Sequence, residues 1–94
     1  MRKFNKKTCA KEADIFKALG HPTRLWIVQQ LGDVQEHCVC EFVEAVGDDF
    51  STISNHLTVL RKAGVIKCEK RGKQVFYSLA CACVVDFIAC IKKL

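Results

Sequence analysis

Residues 39–64, "VCEFVEAVGDDFSTISNHLTVLRKAG", carry two short helical periodicities separated by a tight break. In the first, Val39, Phe42, Val43 and Val46 fall at i, i+3, i+4 and i+7, the spacing of one helix face. Gly47 ends it. In the second, Ile53, Leu57 and Leu60 share a face up to Gly64. Between them Asp48, Asp49, Phe50 and Ser51 supply turn chemistry, with Ser51 the expected N-cap. Two short amphipathic helices joined this closely form a helix-turn-helix.

The flanks extend the pattern. "CAKEADIFKAL" places Ala13, Phe16 and Leu19 at helical spacing before Gly20. In "HPTRLWIVQQLG", Pro22 suits the first turn of a helix. Leu25, Val28 and Leu31 are its expected buried stripe, and Gly32 closes it. After Gly64 the period changes. "VIKCEK" and "QVFYSL" are rich in β-formers, and "RGKQ" separates them as a glycine-containing turn, which predicts a β-hairpin. Cys68 shares a strand face with Ile66 and is expected in the core.

The last segment, "LACACVVDFIACI", is apolar on every side except at Asp86. A helix apolar all round must be covered all round, and so small a chain cannot cover it alone. A second copy is the expected partner, in a two-fold dimer. The expected fold is mainly α with a β-hairpin wing, a winged helix-turn-helix, dimeric through its terminal helices. One domain over 1–94 divides into a basic flexible arm (1–11), a cysteine-bearing helix with the helix-turn-helix (37–64), the wing (65–79) and a dimerisation helix (80–94).

Half the residues are hydrophobic and 27% are charged, a globular composition. No stretch approaches the roughly 18 apolar residues of a membrane span, and the basic N-terminus lacks the apolar run of a secretory signal. A cytoplasmic protein with no membrane partner is expected. In a reducing compartment seven cysteines, an odd number, argue against a disulfide framework. Metal binding, redox sensing and core packing remain.

The net charge of +5 is unevenly laid out. Residues 1–11 carry five bases and no acid, and residues 61–74 carry six bases against Glu69 alone. Residues 32–49 carry six acids and no base. Such segregation suggests a polyanion on one face.

At "STISNHLTVLRKAGVI…RGKQVFYSL" the chain closely resembles the ArsR/SmtB family of bacterial metal-responsive repressors. The family's Ser-x-His-Leu core is matched by Ser54, Asn55, His56 and Leu57, followed by Leu60, Arg61, Lys62, Ala63, Gly64 and Val65. Its wing pattern is matched in shortened form by Arg71, Gly72, Lys73, Phe76, Tyr77 and Leu79, and "LGHPTRLWIV" matches a further stretch. The resemblance runs over roughly residues 13–80 and implies double-stranded DNA with an inverted-repeat operator as partner. It implies no enzymatic activity.

The chemistry agrees. A recognition helix presents short polar side chains near its N-terminus, where base edges lie. Ser51, Thr52, Ser54 and Asn55 supply them, and Asn55 can pair with adenine. His56, beside Leu57, is either a base contact or a satisfied, semi-buried histidine. Lys62, Arg71 and Lys73 suit phosphate, and Gln74 suits a minor groove.

In this family the third helix often opens with a Leu-Cys-Val-Cys-Asp-Leu box for a soft metal or metalloid. Here it reads His37, Cys38, Val39, Cys40, Glu41, Phe42. Residues two apart on an ideal helix differ by about 200° in direction. Cys38 and Cys40 can therefore share one ion only if the first turn is distorted. Thiolates select As(III), Cd(II), Pb(II) or Zn(II), and As(III) is the leading expectation.

Where arsenic-responsive relatives carry a third cysteine, this chain has Val43. The resemblance points to Cys9 as the third ligand, because cadmium- and lead-responsive relatives use N-terminal cysteines. Cys81, Cys83 and Cys90 form a possible second cluster. No organic cofactor is expected. The competing reading on the same scaffold is a thiol redox or persulfide sensor. A disulfide between cysteines this close on a helix is unfavourable, so that reading expects distant cysteines to pair. A thiol enzyme using Cys38 and His37 is disfavoured, because adjacent residues rarely align base and nucleophile.

Overall fold

The computed structural model describes residues 1–32 and 35–94. Asp33, one of the acids of the 32–49 run, lies outside the described residues. The elements in chain order are α1 (Ala10–Leu19), α2 (Pro22–Leu31), β1 (His37–Cys38), α3 (Val39–Val46), α4 (Phe50–Lys62), β2 (Ile66–Arg71), β3 (Gln74–Leu79) and α5 (Cys83–Ile91). No helix among the described residues is long and apolar enough to cross a membrane.

Each break has a local cause. The His21 ring caps α2 by accepting from the Thr23 N–H at 3.1 Å, and Pro22 takes the first turn, where a missing N–H costs nothing. Gly47 closes α3 in the left-handed region at φ 86°, its N–H returning to the Val43 carbonyl at 2.9 Å. The α4 cap is Asp49, not Ser51: its Oδ1 accepts from the Thr52 N–H at 2.7 Å, and Phe50 is already helical. A carboxylate outcompetes a hydroxyl for this place because it also meets the helix dipole.

The core lies where α2, α3, α4 and the base of the hairpin meet. Ile27, Val28, Leu31, Phe42, Ile53, Leu57, Leu60, Val65 and Ile66 are all buried. Ile53, Leu57 and Leu60 face inward as their spacing predicts. Leu25 is only half-buried, and Ile27 takes its expected place. Gly32 allows α2 to meet α5 closely, since a Cβ there would stand 2.9 Å from Val85 Cγ2.

Several expectations fail for geometric reasons. In α1 the inward stripe is Ile15, Ala18 and Leu19, while Ala13 and Phe16 face outward. In α5 only Ile88 is buried within the chain, and Phe87 and Ile91 are about half exposed. Cys68 is exposed: the sheet order is β1-β3-β2, so β2 is an edge strand, and beyond Ile66 it leaves the helices. The expected arm at 1–11 is already helical from Ala10.

The sheet has a strand that the periodicity did not predict. β1 pairs antiparallel with β3, His37 opposite Tyr77 and Cys38 opposite Phe76. The two cysteine-box residues are thus bonded to the wing as well as leading into α3.

Candidate DNA interface and cysteine box

The N-terminal half of α4 presents Phe50, Ser51, Thr52 and Asn55 to solvent, with Ser54 half-buried. Of the expected base contacts, Ser51, Thr52 and Asn55 thus face solvent. His56 turns inward instead and is 7% exposed. Its Nδ1 accepts from Arg24 Nε at 3.1 Å, and its ring centroid lies 4.5 Å from that of His21. Base contact by His56 therefore loses its geometric footing, and the satisfied inward histidine is what the structure contains. Burial pushes its pKa down, and His21 and Arg24 push it further.

Arg24 also donates from Nη1 to the Ala18 carbonyl at 3.3 Å. One guanidinium thereby ties α1, α2 and α4 together. Sequence reasoning passed over this residue, although its place in "HPTRLW" beside a helix start was a usable signal.

Lys62 is exposed in the last turn of α4, and Arg71, Lys73 and Gln74 are exposed at the hairpin tip. Arg71 is already partnered. It donates to Glu36 Oε2 at 2.5 Å from Nη1 and to Glu36 Oε1 at 2.9 Å from Nη2. Nη2 also donates to Glu69 Oε2 at 3.0 Å. These bonds hold the Glu36 carboxyl below its ordinary range and raise the Arg71 pKa.

The cysteine box straddles β1 and the start of α3. Cys38 is the N-cap, with extended backbone at φ −88° and ψ 164°, and it is buried; Cys40 is exposed in the first turn. Since Cys38 lies outside the helical spiral, the angular separation of an ideal helix does not apply. The two sulfurs are paired as in a disulfide, with Cα atoms 5.5 Å apart, within ordinary disulfide range. The expectation of poor pairing applied to two cysteines on one helix; with Cys38 extended, the departure from an ideal first turn that a shared partner requires is present.

Glu41 braces the box. Its Oε1 accepts from the Cys38 N–H at 3.2 Å and its Oε2 lies 2.7 Å from His37 Nδ1. His37 first, and the Cys38 N–H second, hold the Glu41 carboxyl below its ordinary range.

Cys9 is exposed at the start of α1. Among the described residues no group of three or more His, Cys, Asp or Glu side chains converges, so within one chain Cys9 does not complete a set with Cys38 and Cys40. At the other end the Cys81 and Cys83 sulfurs lie 2.7 Å apart. Their contact lowers the pKa of Cys81 and raises that of Cys83. Cys90 is exposed and does not join them in a convergent group.

The bacterial regulatory protein family named for arsR matches residues 21–67, from the cap of α2 to the start of β2. An uncharacterized HTH-type transcriptional regulator of Methanocaldococcus jannaschii is 39% identical over 84 residues, 89% of this chain and 94% of its own. The chain belongs to the arsR family of bacterial regulatory proteins.

Within the family, the cadmium resistance regulatory protein CadC homolog of Staphylococcus aureus is 39% identical over 79% of this chain, which spans 65% of its length. The arsenical resistance operon repressor of Escherichia coli is 41% identical over 70% of this chain, which spans 56% of its length. The fold agrees. HlyU from Vibrio cholerae superposes with a TM-score of 0.80 at 30% identity, covering 95% of this chain and 96% of its own. The homodimeric winged helix-turn-helix DNA-binding domain of a Mycobacterium bovis regulator gives 0.79 at 25% identity, covering 98% and 87%. As an ArsR-family winged helix-turn-helix protein the chain is a DNA-binding transcriptional regulator, not an enzyme.

Proposed function

We propose that this ArsR-family regulator is a repressor that leaves its operator when a thiophilic ion, As(III) first among them, engages Cys38 and Cys40. One observation carries the reading: two sulfurs within reach of a common partner sit on a segment that both caps α3 and pairs with the wing. Such an ion supplies thiolate-seeking coordination chemistry. The chain's own part is to offer the two sulfurs, with Glu41 orienting the segment. Both DNA-binding elements are attached to that segment.

Two sulfurs suit the ion's chemistry but leave As(III) one ligand short. Cys9 from the neighbouring subunit is the natural third, consistent with its exposure and with the lack of a convergent third ligand among the described residues of one chain. With His37 added, Cd(II), Pb(II) or Zn(II) is the alternative inducer. The cadmium and arsenical regulators among the relatives support this class of ligand. Cys81 and Cys83 form a second two-sulfur pair that Cys90 does not complete within one chain.

The dimer forms through α1 and α5. Phe16 and Phe87, 58% and 48% exposed, meet edge to face at 5.9 Å. They make an apolar face that a second copy would cover. Two α4 helices then address an inverted repeat through Ser51, Thr52, Ser54 and Asn55. Lys62, Lys73 and Gln74 follow the backbone and groove.

The sulfur pairing favours one other reading, a Cys38–Cys40 dithiol that oxidises to a disulfide and releases DNA by the same route. Following DNA release while the reduced protein is titrated with arsenite, cadmium and zinc, and separately with peroxide, decides between them. Release by arsenite under reducing conditions supports the ion reading. Release by peroxide alone supports the redox one.

A further inference from the structure

Arg71 stands at the wing tip, where a base would meet a DNA phosphate, yet three of its five N–H donors are engaged by Glu36 and Glu69. The contact with Glu36 is two-pronged, the strong form of a guanidinium–carboxylate bond. The guanidinium also lies over the Phe76 ring, 5.2 Å from its centroid. Two carboxylates around one cation leave the group negative, so an arriving phosphate would be a third anion. All three side chains are substantially exposed, Arg71 at 47%, Glu36 at 43% and Glu69 at 68%. Exposed pairs of this kind add little to folding. Their consequence is that three of the five N–H donors of Arg71 are occupied.

The two acids differ in where they come from. Glu69 shares β2 with Arg71 and travels with it. Glu36 comes from the segment before β1, two residues ahead of Cys38. Cys38 pairs with Phe76 across the sheet, and Phe76 is the ring beneath Arg71. Cys38, Phe76, Arg71 and Glu36 therefore close a circuit between the cysteine box and the wing.

We infer that Glu36 is a positioning residue that withholds Arg71 from DNA phosphate, and that the cysteine pair controls it because both lie on one short segment. Closing the Cys38–Cys40 pair strengthens the hold of Glu36 on Arg71, and opening the box loosens that hold without abolishing it. The withholding stands on the Glu36–Arg71 contact alone. The control by cysteine rests on the sulfur-switch reading given above.

The test is a double-mutant cycle of Glu36→Gln, Arg71→Gln and the pair. Affinity for one selected inverted-repeat duplex is measured with the reduced full-length protein over a range of KCl. Glu36→Gln is expected to tighten binding about 3- to 10-fold and to steepen the salt dependence by about one phosphate contact. Arg71→Gln should weaken binding, and in its presence Glu36→Gln should change nothing. Equal tightening with Arg71 absent would reduce the effect to general charge and overturn the inference, as would weaker binding by Glu36→Gln.

Arsenite then probes the coupling. Glu36→Gln should hold DNA at concentrations that release the wild type. Equal release overturns the control by cysteine. Arsenite that fails to release the wild type overturns the sulfur-switch reading and this control together, while the cycle still decides the withholding.

Discussion

Arg24 Nε donates to His56 Nδ1 across 3.1 Å, joining the start of α2 to the middle of the recognition helix. This bond requires a neutral His56, because a protonated ring has no acceptor at Nδ1. Burial depresses the His56 pKa, with His21 and Arg24 adding to the effect and only Asp48 opposing it. The unfolded chain therefore binds a proton that the native chain resists. The contribution to stability is complete above the unfolded value of about 6.5 and is lost as pH falls from there toward the lower native value. Urea unfolding at about pH 7.5 and about pH 5 should show the lower stability at the acid end. His56→Gln should flatten that difference, and an unchanged slope in this variant would assign the pH dependence elsewhere.

The capping of α4 separates two neighbouring side chains. Asp49→Ala removes the acceptor for the Thr52 N–H and should cost about 1 kcal/mol of stability. Ser51→Ala, at an exposed helical position, should shift stability by less than about 0.5 kcal/mol. On DNA the order should reverse in kind, Ser51→Ala weakening operator binding while the fold stays intact. Thermal melts beside operator titrations check both.

The outward faces of α1 and α5 make a third expectation. Phe87→Asp places a charge beside Phe16 in the apolar face. It should give a monomer by sedimentation at concentrations where the wild type is dimeric. Operator affinity should fall at least about tenfold, since one recognition helix then binds where two did. A dimer that survives the substitution places the interface elsewhere.

Much of this architecture is legible in the chain. Glycines and proline mark the helix ends, Ile53, Leu57 and Leu60 declare the inward face of α4, and the switch to β-formers after Gly64 declares the wing. What escaped depends on partners far along the chain. β1 is two residues long, and nothing local announces it, because its stability comes from Phe76 and Tyr77. His56 and Arg24 are 32 residues apart. The outward turn of Phe16 escaped because an exposed apolar side chain reads like a core one in sequence. Cys68 was misplaced because alternation along a strand does not say where a hairpin leaves the body of the protein. The box was legible as a pair of sulfurs, but that they meet follows from the extended backbone of Cys38, which the family resemblance had placed at the opening of the helix.

The sulfur pair is tested most directly by arsenite-driven release of operator DNA, read by fluorescence anisotropy. The reduced wild type is compared with a Cys38→Ser, Cys40→Ser double variant and with a Cys81→Ser, Cys83→Ser double variant. The wild type and the tail variant should let go at similar arsenite concentrations. The box variant should bind the operator as tightly as the wild type and stay bound. Release of the box variant at the wild-type arsenite concentration would contradict it.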